Sequence, residues 1–139
     1  TIPNCCPDPC PDYEERIKPK QLARADALNS EGTFSVLYLS LCYREKGLFD
    51  LIEAIALVNN RLRDDGLVKR VQLDVAGKFY LPKEEAEFNE RINQADLIDD
   101  HGSMVIYHGF ADETKKLELF SQADAFSLPS YYSFEAHPV

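Results

Sequence analysis

The sequence predicts an α/β protein: a Rossmann-like open parallel sheet of about four strands, with helices on both faces. Two observations point there. From Phe34 onward, short β-branched and aromatic runs alternate with longer runs of helical period. The strand-length runs are also apolar along most of their length, as expected of strands covered on both sides.

The elements follow in order. Residues 1–32 hold much of the proline ("PNCCPDPCPDY", "IKPKQ") and no sustained period. They read as a linker or arm entering the domain, with a short helix around "PKQLARADAL". Residues 33–139 form the Rossmann-like domain. "FSVLYLS" is its first strand. In "KGLFDLIEAIALVNNRLRDDG", Leu48, Leu51, Ile52, Ile55, Val58 and Leu62 recur at steps of three and four, predicting a helix with one apolar stripe that Gly66 can end.

"VKRVQLDVAG" is a second strand ending in glycine. "PKEEAEFNERINQADLIDDHG" reads as one helix, with Pro82 in its first turn, acids at its positive end, and Phe88, Ile92 and Ala95 inward. "SMVIYHGF" is a third strand. "DETKKLELFSQA" is a third helix with Asp112 as its cap, and "DAFSLPS" is a fourth strand stopped by Pro129.

Composition narrows the function. The chain is 139 residues long, 45% hydrophobic and 28% charged, the makeup of about one soluble domain. No run approaches the roughly 20 apolar residues of a membrane span, and the first residues do not read as a signal peptide. A formal net charge of -9 argues against a nucleic-acid partner, while leaving room for a small basic site for a phosphorylated ligand. Cys5, Cys6, Cys10 and Cys42 lack zinc-site spacing, and His101, His108 and His137 lie far along the chain. They are read as free cytosolic thiols, with no metal site.

Open parallel sheets bind ligands beyond the carboxyl ends of their strands, here "LCYREKG", "GKFYLP", "HGFAD" and "PSYYSFEAHP". Lys46 and Gly47 stand at a helix N-terminus, where backbone N–H groups and the dipole favour an anion. Taken alone, Arg44 and Lys46 read better as solvated loop charges pairing with Glu45 or Asp50, and neither a Walker loop nor G-x-G-x-x-G is present. Gly77 allows close backbone approach and Lys78 can meet a phosphate; a tight turn with an exposed lysine explains them as simply. Gly109 permits a turn, and Phe110 suits either a flat ring or the core. His108 has no partner that sequence can place beside it as a base. Glu135, near His137, Tyr131 and Tyr132, can accept from sugar hydroxyls or serve as acid, base or nucleophile; otherwise it is an exposed loop residue.

In succession, "VLYLS…REKGLFDLIEAIALV", "VQLDVAGK", "MVIYHGFADETKKLELFSQADAFSLPSYY" and "EAHPV" resemble the nucleotide-sugar half of a retaining GT-B glycosyltransferase, family 4, the glycosyl transferases group 1. "IPNCCPDP" is similar to the segment leading from that family's interdomain linker. The resemblance covers essentially the whole chain.

It implies a donor-binding domain for a UDP-, GDP- or ADP-sugar, with no cofactor and no obligatory metal. The lysine that binds the donor diphosphate matches Lys46. Its usual partner arginine matches Leu41, which leaves Arg44, displaced along the loop, as the substitute. Gly109 and Phe110 become base contacts, and Glu135 the sugar-side carboxylate. A second glutamate, which holds the ribose, falls beyond Val139. The expectation is therefore an incomplete donor domain, inactive by itself, of a parent enzyme in polysaccharide biosynthesis. That parent would have an N-terminal acceptor half and a glycan or lipid-linked acceptor. Its expected location is the cytoplasm, with contact to the inner membrane face through the missing half.

The alternative is a noncatalytic docking or assembly module derived from a glycosyltransferase, which Leu41 favours. A receiver domain is a poorer match. "LSLCYREKG" lacks its acidic pair, and "IYHGFAD" lacks its phosphoacceptor, because Asp112 already opens a helix.

Overall fold

The computed structural model describes residues 14–15, 18–19, 22–24 and 32–133. Four parallel strands form the sheet: β1 (Thr33–Leu39), β2 (Arg70–Ala76), β5 (Val105–Tyr107) and β6 (Ala125–Phe126), in the spatial order β5-β2-β1-β6. A separate antiparallel pair, β3 (Ile98–Asp99) and β4 (Gly102–Ser103), makes a small hairpin. The helices are α1 (Leu48–Asp64), α2 (Pro82–Ile92) and α3 (Glu113–Gln122). The Rossmann-like α/β reading therefore holds. The chain leaves β1 toward β2 on one side and returns through α3 to β6 on the other. The topological switch point thus lies between β1 and β6.

Strand alternation divides the core. Val36, Tyr38, Leu73, Val75 and Val105 pack with α1 and with Phe88 of α2. Leu37 and Ala76 face the other way, against Ala111 and Leu119 of α3. Helices therefore cover both faces, which is why the strands read as nearly continuous apolar runs. Each fully buried side chain, such as Leu48, Ile52 or Phe88, contributes about 1.5–3 kcal/mol.

Details of the helices depart from the sequence pattern. In α1 the stripe runs through Leu48, Leu51, Ile52 and Ile55 as expected, but Val58 is exposed and Asn59 is buried in its place. The Asn59 side chain donates to the carbonyls of Ile55 (2.9 Å) and Val71 (2.8 Å) and accepts from the Val71 amide (2.8 Å). Val71 lies where β2 has not yet met β5, so the asparagine supplies a missing strand partner.

The predicted second helix is shorter than its sequence suggests. It stops at Ile92 and gives way to a 3-10 turn (Ala95–Leu97) and the hairpin. Ala95 is exposed, and Leu97 takes the inward position. Arg91 explains the stop: its guanidinium, 13% exposed, bonds both oxygens of Asp96 and both of Glu53 on α1. In α3, Asp112 caps as expected, accepting from the Lys115 amide at 2.8 Å. Lys18, Pro19 and residues 22–24 are helical, in keeping with part of the short helix expected near there. Arg24 makes a two-point ion pair with Asp124, which also accepts from the Ser35 amide.

Candidate functional site

Four loops leave the carboxyl ends of the four parallel strands, and the backbone ties them together. The Ser40 amide donates to Ala76, Cys42 to Lys78, Gly77 to Gly109, and Tyr131 to Glu45, at 2.8–3.1 Å. The first link reaches the last residue of β2, and each of the other three joins the loop after one strand to the loop beside it. Gly77, at φ 156°, makes one crossing possible: a β-carbon there would overlap the Ser40 carbonyl and lie 3.2 Å from Cys42 Sγ.

The segment after β1 forms a single 3-10 turn, Arg44–Lys46, closed by Gly47 at φ 74°. Gly47 is also the N-cap of α1 and brings no side chain to it, so the cap residue leaves the first N–H groups of that helix open to another acceptor. A β-carbon on Gly47 would overlap the carbonyl oxygen of Pro129, in the loop after β6. The "REKG" turn and the "LPSYY" loop therefore touch at the switch point.

Lys46 Nζ lies 4.7 Å from the centroid of the Tyr132 ring. On the neighbouring loop pair, Lys78 Nζ lies 4.5 Å from the centroid of Phe110, a ring that is 65% exposed. The cradle thus presents two ammonium groups, each against an aromatic face. Behind them, Phe79, Phe88 and Tyr107 pack at centroid distances of 5.1–5.6 Å, and the Tyr107 hydroxyl donates to the Gly77 carbonyl. Burial, and after it the charges near Cys42 and Glu85, raise the Tyr107 phenol and keep it in its donating form.

Arg44 is placed differently from Lys46. Its guanidinium pairs with Glu87 of α2 and lies 4.4 Å from the centroid of Phe49, while its amide donates to Glu84. The Glu87 hydrogen bond raises its already high pKa. The sequence groups Arg44 with Lys46, whereas the structure commits it to α2. Leu41, which follows β1, is exposed, and its carbonyl accepts from the Tyr38 hydroxyl at 2.7 Å.

Cys42 is fully buried, and its thiol is pushed up to about 12 by burial and then by Glu84 and Glu85. That suits the free-thiol reading at this one position; Cys5, Cys6 and Cys10 lie outside the described residues. So do Glu135 and His137. His108 has a partner that sequence could not place: its Nε2 stands 2.8 Å from Asp74, which also accepts from Ser35 Oγ. Asp74 is in mid-strand on β2, three residues before Gly77, and only the parallel register of the sheet brings it to His108.

Sequence reasoning missed Tyr43 and Tyr80, whose rings meet at 5.9 Å between the first two loops. Their signal was faint, since both are loop aromatics and the sequence does not bring the two loops together. Among the described residues no group of His, Cys, Asp and Glu is arranged to hold a metal ion, and no helix is long and apolar enough to cross a membrane.

Comparison with curated proteins and with solved structures gave no significant match. Comparison with family models is decisive: residues 19–139 match the glycosyl transferases group 1, and the chain belongs to that family.

Proposed function

We propose that this chain is the donor-binding half of a retaining GT-B sugar transferase of family 4, and that it holds a nucleotide-diphosphate sugar in the crevice at the switch point. Membership of a sugar-transfer family supports the reaction class. One observation carries the site: the contact of Gly47 with Pro129 sets the N-terminus of α1 and Lys46 against the loop after β6.

In this reading the diphosphate meets Lys46 and the uncapped amides at the start of α1, where charge and dipole act together. Lys78 adds a second cation. Phe110 offers an exposed face to the base, beside the turn at Gly109. Glu135, which follows Tyr131 and Tyr132 in sequence, serves as the carboxylate nearest the transferred sugar. The acceptor is a glycan or a lipid-linked saccharide bound by an N-terminal half, and closure of the two halves aligns the reactants and removes water.

Titrating UDP, GDP and ADP against the protein and its Lys46→Ala variant tests the reading. The expected result is one preferred nucleotide and at least tenfold weaker binding in the variant, about 1.4 kcal/mol. If no nucleotide binds, or Lys46→Ala changes nothing, the donor-site assignment fails. A noncatalytic assembly module would then lead. Leu41 and the pairing of Arg44 with Glu87 are the observations on which that second reading would rest.

A further inference from the structure

The opposite edge of the sheet carries a cavity of about 390 Å³. It opens where β1 and β2 begin, beside Gly32 and Thr33, the end of α1, the α1–β2 loop and the β3–β4 turn. Its volume lies at the low end of small-molecule sites, which run from about 300 to 1,000 Å³. Nothing in the donor-site reading uses it.

Its lining has a definite chemistry. Arg63, Lys69 and Arg70 face it together, with His101 beside them and Asp99 as the one carboxylate in the lining. Asp99 is already engaged, accepting from Arg70 Nη1 at 3.0 Å and from the His101 amide at 2.8 Å. Arg70 is largely buried; its Nη2 donates to the Ser103 carbonyl, while its buried Nε has no partner among the described residues. Arg63 and Lys69 are exposed, and neither joins an ion pair among the described residues. The cavity therefore gathers more cations than carboxylates on a chain whose net charge is -9, with the charge of Arg63 also reaching Asp96. Leu67, Val68 and Met104 supply an apolar wall.

We infer that this cavity is a second binding site, for a small phosphomonoester, separate from the donor crevice. The accessible ammonium of Lys69 and guanidinium of Arg63 take the phosphate oxygens, since Arg suits planar two-point recognition and Lys a point charge. Arg70, in the same lining, is held by Asp99 and the Ser103 carbonyl and keeps its buried Nε–H without a partner among the described residues. Leu67 and Val68 cover the carbon skeleton of the ligand.

The test is a titration with a hexose monophosphate, followed through backbone amide shifts and calorimetry, with the uncharged hexose as control. The phosphate ester should move the amides of Leu67–Arg70 and Asp99–Met104, and the free hexose should not. Joint replacement of Arg63→Ala and Lys69→Ala, both exposed, should weaken binding at least tenfold with the circular dichroism spectrum unchanged. Lys46→Ala should leave this binding as it is, which separates the cavity from the donor crevice. Absence of binding, binding that survives the double replacement, equal binding of the free hexose, or shifts confined to residues 44–47 and 109–110 would each overturn the inference.

Discussion

Gly47 and Pro129 are separated by most of the domain in sequence, yet the structure leaves no room for a β-carbon between them. A side chain on Gly47 would overlap the Pro129 carbonyl and stand 2.7 Å from its Cγ. Gly47 is also held at φ 74°, where an L-residue is strained.

The first prediction follows from that pair. Gly47→Ala should cost roughly 1–3 kcal/mol in strain and push the loop after β6 away from α1. A urea titration reads the first effect, and amide shifts at Tyr131 and Tyr132 read the second. Nucleotide binding should fall with them. Unchanged shifts at those tyrosines would show that the loop is not held by this contact.

Gly77 makes a harsher case. Its β-carbon would overlap the Ser40 carbonyl, which is backbone and cannot rotate away. Gly77→Ala should therefore cost roughly 2–4 kcal/mol, combining strain and overpacking. The Ser40 and Cys42 amides, which donate to Ala76 and Lys78, should lose protection from hydrogen exchange.

Asn59 tests the edge of the core. Asn59→Ala leaves both the N–H and the carbonyl of Val71 without their partner, at roughly 1–3 kcal/mol per buried group left unpaired. Asn59→Leu restores volume but not the hydrogen bonds, so it should remain destabilised in urea with the slope m unchanged. A leucine variant as stable as the parent would show that packing alone suffices here.

Asp124 predicts an acid-sensitive anchor. Burial by itself raises its carboxyl, but the Arg24 hydrogen bond, the Ser35 amide and the Arg24 charge outweigh it and hold it below the ordinary value. A depressed folded value means stability that is present above the unfolded value of about 3.9 and lost as pH falls through the lower folded one. Asp124→Asn should destabilise the protein at pH 7 by roughly 1–3 kcal/mol. The gap from the parent should close below about pH 4. Chemical denaturation at a series of pH values decides it, and a gap independent of pH would exclude the carboxylate as the source.

Cys42 should be inert. Its thiol, buried and pushed up to about 12, forms almost no thiolate near pH 8. Peptide mapping after alkylation should find Cys42 unmodified in native protein and modified after unfolding. Labelling at equal rates in both would mean that this loop opens freely.

The sequence showed the fold clearly and the site only in outline. Alternation of element types is a local signal, so the parallel sheet and the Asp112 cap could be read directly. The hairpin after α2 could not, because "NQADLIDD" keeps a helical rhythm while Arg91 draws Asp96 into a different geometry. Val58 and Asn59 exchanged roles for a similar reason: an unpaired start of β2 needed an amide, which periodicity does not register. At the site, Lys46, Gly47, Gly77, Lys78, Gly109 and Phe110 fall on the loops after β1, β2 and β5. The pairing of Arg44 with Glu87, 43 residues further on, is one that proximity in sequence does not register.

The ties between the four loops have a further consequence. They run from main chain to main chain, so apart from Gly47 and Gly77, where no side chain fits, the frame does not depend on which side chains the loops display. Lys78, Phe110 and Tyr132 could be exchanged for other residues, and the frame that holds them would keep its shape. Selectivity for a ligand can drift here without renegotiating the fold, because what recognises and what supports are written in different atoms.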